Sequence, residues 1–169
     1  MAGIVKVGSG PPEMPRYAAI EPLMAELAGL REAVAIATEP SAELLTRIDT
    51  AIETMNAEGP LLAAASEPGG SIAVGTYLAM LQMAYPNAGQ QDATGYGGFL
   101  YDDVMELAPP IAAVEMACRH WRQKSKFLPA IAELLVEVRA AKSQIENAVE
   151  FVARLPAVRE RLARELGQS

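Results

Sequence analysis

From Ile131 the apolar residues recur three and then four positions apart: Ile131, Leu134, Val138, Ala141, Ile145, Ala148, Val152 and Leu155. A strand alternates every second residue and cannot produce this register. An α-helix places all eight side chains in one seam. A seam sustained over about seven turns has to be covered along its whole length, as in a coiled coil. The spacing therefore predicts a long C-terminal helix over 129–169, with Pro129 presetting its first turn. Pro156 kinks or restarts it, and Val158 to Leu166 close the chain as a charged amphipathic turn or two.

The cover for that seam is visible upstream. Ile20, Leu23, Leu27, Leu30, Val34 and Ala37 form one stripe, and Leu44, Leu45, Ile48, Ile52 and Met55 form a second. Pro40 interrupts between them and Ser41 offers an N-cap oxygen. The pair reads as a helical hairpin over 18–58, its second helix ending near Asn56–Gly59. A linker follows over 59–70. A third helix is expected over 72–85, stopped by Pro86. Residues 87–98 (NAGQQDATGYGG) read as the longest loop, and a fourth helix follows over Phe99–Leu107. Pro109 and Pro110 then open a fifth helix, on which Ile111, Val114, Ala117, Cys118 and Trp121 share a face. Together 71–128 form a helical domain. Residues 1–17, rich in Gly and Pro around GSGPPEMP, are expected to be a disordered arm. The fold class expected is all-α, a bundle of five to seven helices.

Composition supports this and excludes alternatives. Half of the 169 residues are apolar, chiefly Ala, Leu, Val, Ile and Met, with few aromatics. Such a chain is neither disordered by composition nor strand-rich. One cysteine, Cys118, cannot form an internal disulfide framework, and with one histidine, His120, it makes no Cys/His metal cluster. No cofactor is expected. No run approaches the roughly 20 apolar residues of a membrane span, and no leader is apparent, so a cytoplasmic setting is expected.

The net charge of −7 hides a split. Residues 1–115 carry four Lys/Arg against fifteen Asp/Glu (−11), and residues 116–169 carry ten against six (+4). The densest basic stretch holds Arg119, Trp121, Arg122, Lys124 and Lys126. Cations around an aromatic ring suit single-stranded DNA, by phosphate neutralisation and stacking. The same cations suit pairing with the acidic half of the chain. Both readings stay open.

No residue set has the geometry of catalysis. Asp102 and Asp103 are adjacent and face different ways on a helix. Cys118 and His120 are two apart and point away from one another. The glycines at 8–10 and 95–98 lack the lysine or preceding strand of a phosphate loop. Met80, Met83, Met105 and Met116 follow helical spacing as core fillers. The chain is therefore expected not to be an enzyme.

One ordered set of features runs from about 83 to 137. Ala84-Tyr85-Pro86 ends a helix, and Tyr96 and Tyr101 follow a polar loop. Leu107-Ala108-Pro109-Pro110 opens a helix with Ala113 and Ala117. A basic turn then leads to Lys126-Phe127-Leu128-Pro129, followed by Ile131, Glu133 and Leu134. This order resembles the helical domain of tailed-phage and prophage replication proteins of the helicase-loader kind. It departs at Ala108, where that family has a large apolar residue, and at Ala130, often Ser. Phe127-Leu128-Pro129 also has an architectural reading: Phe127 or Leu128 staples the turn and Glu133 favours the helix N-terminus.

The resemblance implies a non-enzymatic replication accessory factor. Its protein partner would be a replicative helicase or an initiator, with single-stranded DNA a further partner. Val149, Val152, Leu155, Val158 and Leu162 are the partner-binding or dimerising residues this reading points to. The alternative is a helical packaging or scaffolding protein of a phage, forming homo-oligomers.

Overall fold

The computed structural model describes residues 14–86 and 93–167. Among them the protein is all-α: α1 (Ile20–Ile36), α2 (Ala42–Ser66), α3 (Ser71–Met83), α4 (Ala93–Glu106), α5 (Ile111–Lys124) and α6 (Ile131–Gly167). The expected long C-terminal helix is α6, 37 residues continuous through Pro156. The α1–α2 break falls at Pro40, and the Ser41 hydroxyl accepts from the Leu44 N–H at 3.1 Å, capping α2.

The apolar stripes close two clusters. In the first, Ile20, Leu23, Leu27 and Leu30 of α1 meet Leu44, Ile48, Leu62 and Ala65 of α2, and Ala141 to Leu162 of α6. In the second, Val74, Tyr77, Leu78 and Leu81 of α3 meet Leu100 and Val104 of α4, and Leu134 and Val138 at the start of α6. Helix α5 lies between them. Ala112, Ala113 and Met116 face the first cluster, and Val114, Ala117, Cys118 and Trp121 the second.

Several boundaries differ from the expected ones. Helix α2 does not end near Asn56–Gly59 but runs through Pro60 to Ser66. Proline there forfeits one backbone bond, and burial of Leu62 (3%) and Ala65 (0%) outweighs that loss. The expected linker over 59–70 is thus helix up to Ser66. The true connection, 67–70, is pinned to the α4–α5 connection: Gly69 N–H donates to Pro109 O, and Ile111 N–H to Glu67 O, each at 2.8 Å. A Cβ on Gly69 would lie 2.8 Å from Val74 Cγ2 and 3.1 Å from Pro109 O, so this crossing requires glycine. Ala37, placed on the first stripe, is exposed and sits just beyond α1.

Helix α4 begins at Ala93, inside the expected 87–98 loop, of which 87–92 lie outside the described residues. Tyr96 explains the early start. Its ring packs on the second cluster and its hydroxyl donates to Pro129 O at 2.7 Å. Most of the expected N-terminal arm, 1–13, lies outside the described residues. Three of its last four residues are tied down: Met14 packs on the second cluster, Tyr77 OH donates to Pro15 O, and Tyr17 N–H reaches Glu115.

Candidate binding cleft at the α5–α6 turn

The basic stretch divides once the fold is formed. Arg119 is drawn inward. Its Nε donates to Glu115 Oε1 at 2.9 Å, and its Nη2 donates to Glu21 at the start of α1. His120 Nε2 lies 3.2 Å from the other Glu21 oxygen. Glu115 is 4% exposed, so Arg119 is the counter-charge of a buried carboxylate. Lys124 pairs with Glu137 of α6 and lies 4.8 Å from the centre of the Trp121 ring. Trp121 itself is buried in the second cluster (9% exposed), and its Nε1–H donates to Phe127 O at 2.8 Å. The expected stacking surface is therefore core, and two of the five residues of the patch, Arg119 and Trp121, are enclosed by the fold. Arg122 and Lys126 stay exposed and make no ion pair among the described residues.

Those two cations line a cleft of about 1170 Å³ with Tyr85, Tyr96, Phe127 and Pro129. Its walls are fixed by tyrosine hydroxyls. Tyr85 OH, at the end of α3, donates to Ser125 O at 3.2 Å, and Tyr96 OH of α4 donates to Pro129 O. Burial, with smaller contributions from the Cys118 and Glu133 charges, pushes the Tyr96 hydroxyl up to about 12. Glu133 also borders the cleft, but its Oε2 accepts from Ala130 N–H at 2.8 Å, capping the start of α6. Of the two residues expected to staple this turn, Leu128 packs on the second cluster, whereas Phe127 points outward, 78% exposed. Phe127 is thus the cleft residue that sequence reasoning assigned to packing. Its neighbours Lys126 and Leu128 left open which apolar side chain would face solvent.

The residues expected to bind a partner on the C-terminal helix are mostly occupied. Leu155 (1%) and Leu162 (6%) are core, and Val152 and Val158 pack against the same cluster; only Val149 (39%) is exposed. From Ala141 onward the α6 seam covers α1 and α2 instead of offering itself outward, because the hairpin is long enough to reach it. Cys118 is buried, and burial pushes its thiol up to about 12, the ordinary state of a packing cysteine.

Among the described residues no helix is long and apolar enough to cross a membrane, and no three His, Cys, Asp or Glu residues gather as metal ligands do. No family model matches the chain, and no curated protein or solved structure is found to be similar to it.

Proposed function

We propose that the chain is a non-enzymatic accessory factor of phage or prophage DNA replication, of the helicase-loader kind, that docks on a replicative helicase or an origin-bound initiator. The observation that carries this is where the 83–137 segment leaves its apolar side chains. That segment builds the end of α3, α4, α5 and the turn into α6, which converge on one end of the molecule through Tyr85 and Tyr96. Met83 (74% exposed) and Phe99 (68%) belong to this segment, although both clusters are complete without them. Large apolar side chains left on a rigid frame are the anchors protein interfaces use. The resemblance of the same segment to phage replication proteins supplies the replication setting.

The test is direct. Mixed with a purified bacterial replicative helicase, the chain should co-elute as a discrete complex. Met83→Ser with Phe99→Ser should abolish co-elution while the helical circular dichroism stays unchanged. No complex with helicase or initiator would remove this reading.

The alternative, a phage assembly protein forming homo-oligomers, draws on Val136 (59% exposed) and Val149 on the outer side of α6. Light scattering over a hundredfold range of concentration separates the two. A monomer throughout excludes the assembly reading.

A further inference from the structure

We infer that the cleft at the α5–α6 turn takes single-stranded nucleic acid, with Phe127 as the face on which one unpaired base stacks and Arg122 and Lys126 as contacts to the flanking phosphates. This rests on the replication reading above and adds to it a second ligand at a defined place.

The first argument is how Phe127 is held. Its ring is 78% exposed, yet its backbone is fixed on both sides. Its N–H donates to Ser125 Oγ at 3.1 Å, and its carbonyl accepts from Trp121 Nε1 at 2.8 Å and from Ser125 Oγ at 3.1 Å. Leu128 and Pro129 anchor the next two residues, Leu128 packed on the second cluster and Pro129 buried. An exposed aromatic on a loose turn loses conformational freedom when a ligand orders it. One on a pinned turn loses less, so more of the contact energy appears as affinity. The indole that sequence reasoning chose for stacking serves here to present another ring.

The second argument is charge. Arg119 and Lys124 have carboxylate partners, whereas Arg122 and Lys126 have none among the described residues, and both line the same cleft as Phe127. Two unneutralised cations beside one aromatic face are complementary to a base with a phosphate on each side. The nearest carboxylate in the lining, Glu133, is turned to the helix start. The cleft, about 1170 Å³, exceeds the usual size of a small-molecule pocket, roughly 300–1,000 Å³. A duplex keeps its bases stacked on one another and has no face to give Phe127. An acidic peptide would satisfy the cations but leave the ring without a flat partner.

The full chain is titrated into a fluorescent dT20 oligonucleotide and followed by anisotropy at several salt concentrations. The comparison ligands are a 20-residue abasic oligonucleotide, a 20-base-pair duplex and a poly-glutamate competitor. The expected result is preference for dT20 over all three. Phe127→Ala should weaken dT20 binding about tenfold or more while leaving the salt slope unchanged, and Phe127→Trp should retain binding. Arg122→Gln with Lys126→Gln should flatten the slope of log K against log salt by about 1.4, at roughly 0.7 per lost phosphate contact. All three positions are exposed, and circular dichroism melting confirms that each variant is folded. Equal binding of the abasic strand, unchanged affinity in Phe127→Ala, displacement by poly-glutamate as effective as by dT20, or no binding at low salt overturns the inference. Helicase co-elution is scored on the same preparations. A helicase complex without dT20 binding rejects the nucleic-acid site alone; dT20 binding without a helicase or initiator complex rejects the docking reading alone.

Discussion

Arg119 Nε donates to Glu115 Oε1 at 2.9 Å, one turn back along α5, and so neutralises a carboxylate that is 4% exposed. Removing the cation leaves that charge buried and uncompensated. Arg119→Met is expected to destabilise the protein by about 3–5 kcal/mol. Glu115→Leu combined with Arg119→Met should recover much of the loss, since it removes the stranded charge as well. Urea denaturation of the three proteins measures both differences. A double variant no more stable than the single one would show that the carboxylate is not the cost.

The acid limb of stability is expected to involve Glu21. Burial alone would raise its carboxyl, but hydrogen bonds from Arg119 and His120, together with their charges, hold it below the ordinary value of 4.5. A carboxyl lowered in the folded state contributes stability that is complete above its unfolded value and lost as the pH falls through the folded one. Glu21→Gln should therefore be less stable than the parent at neutral pH, and the two should converge well below pH 4.5. Denaturation midpoints across that range check it.

At the alkaline end the sign reverses. Burial first, and then nearby negative charge, pushes the hydroxyls of Tyr77 and Tyr96 up from 10.0 to about 12. A raised tyrosine contributes stability that is intact below pH 10 and lost as the pH approaches 12. Ionised, neither can donate to Pro15 O or Pro129 O. Tyr77→Phe with Tyr96→Phe should start lower in stability and fall less steeply over this interval. Ultraviolet titration of the folded protein should show two hydroxyls ionising late.

Ala108 is the one non-glycine residue with positive φ among the described residues, at 43°. It follows α4 where a left-handed residue ends a helix, and Lys142 Nζ donates to the preceding Leu107 O at 2.6 Å. An L-residue in this region is strained by roughly 1–2 kcal/mol, part of which glycine returns as unfolded-state entropy. Ala108→Gly should stabilise the protein by about 0.5–1 kcal/mol, read as a rise in melting temperature.

The C-terminal turns of α6 are structural. Leu162 is 6% exposed, Val158 packs beside it, and Arg159 pairs with Asp49 of α2. Leu162→Ala is expected to cost about 2–3 kcal/mol. Ending the chain after Leu155 should loosen α2 and increase its amide hydrogen exchange, because Val158, Arg159 and Leu162 lie against it. Unchanged exchange in α2 would reject this.

The helices whose apolar residues lie on one face, α1, α2 and α6, were legible because burial on one side leaves a 3.6-residue rhythm. Helix α5 was legible as a helix but not as an enclosed one. Arg119 was open to pairing with the acidic half of the chain, but its partner Glu21 lies 98 residues away, so the local pattern could not name it. The first turns of α4 were illegible for a different reason. Gly95, Gly97 and Gly98 oppose helix, and what overrides them is Tyr96 seated against Pro129, a contact between distant parts of the chain. At the cleft the cations could be found from their spacing, but not which ring would face outward. Trp121 and Phe127 are equally near basic residues, and only the end of α5 at Lys124 decides that one is core and the other surface.

Eight consecutive residues of α5, Ile111 to Cys118, are buried; Ala112, Ala113 and Met116 belong to the first apolar cluster, and Ile111, Val114, Ala117 and Cys118 to the second. Neither half of the molecule can loosen without uncovering a side of this strut, so the halves are bound to melt as one unit. Heating should give a single calorimetric step with matching van't Hoff and calorimetric enthalpies. The cleft at the far end is thereby carried on a frame that yields all at once or not at all.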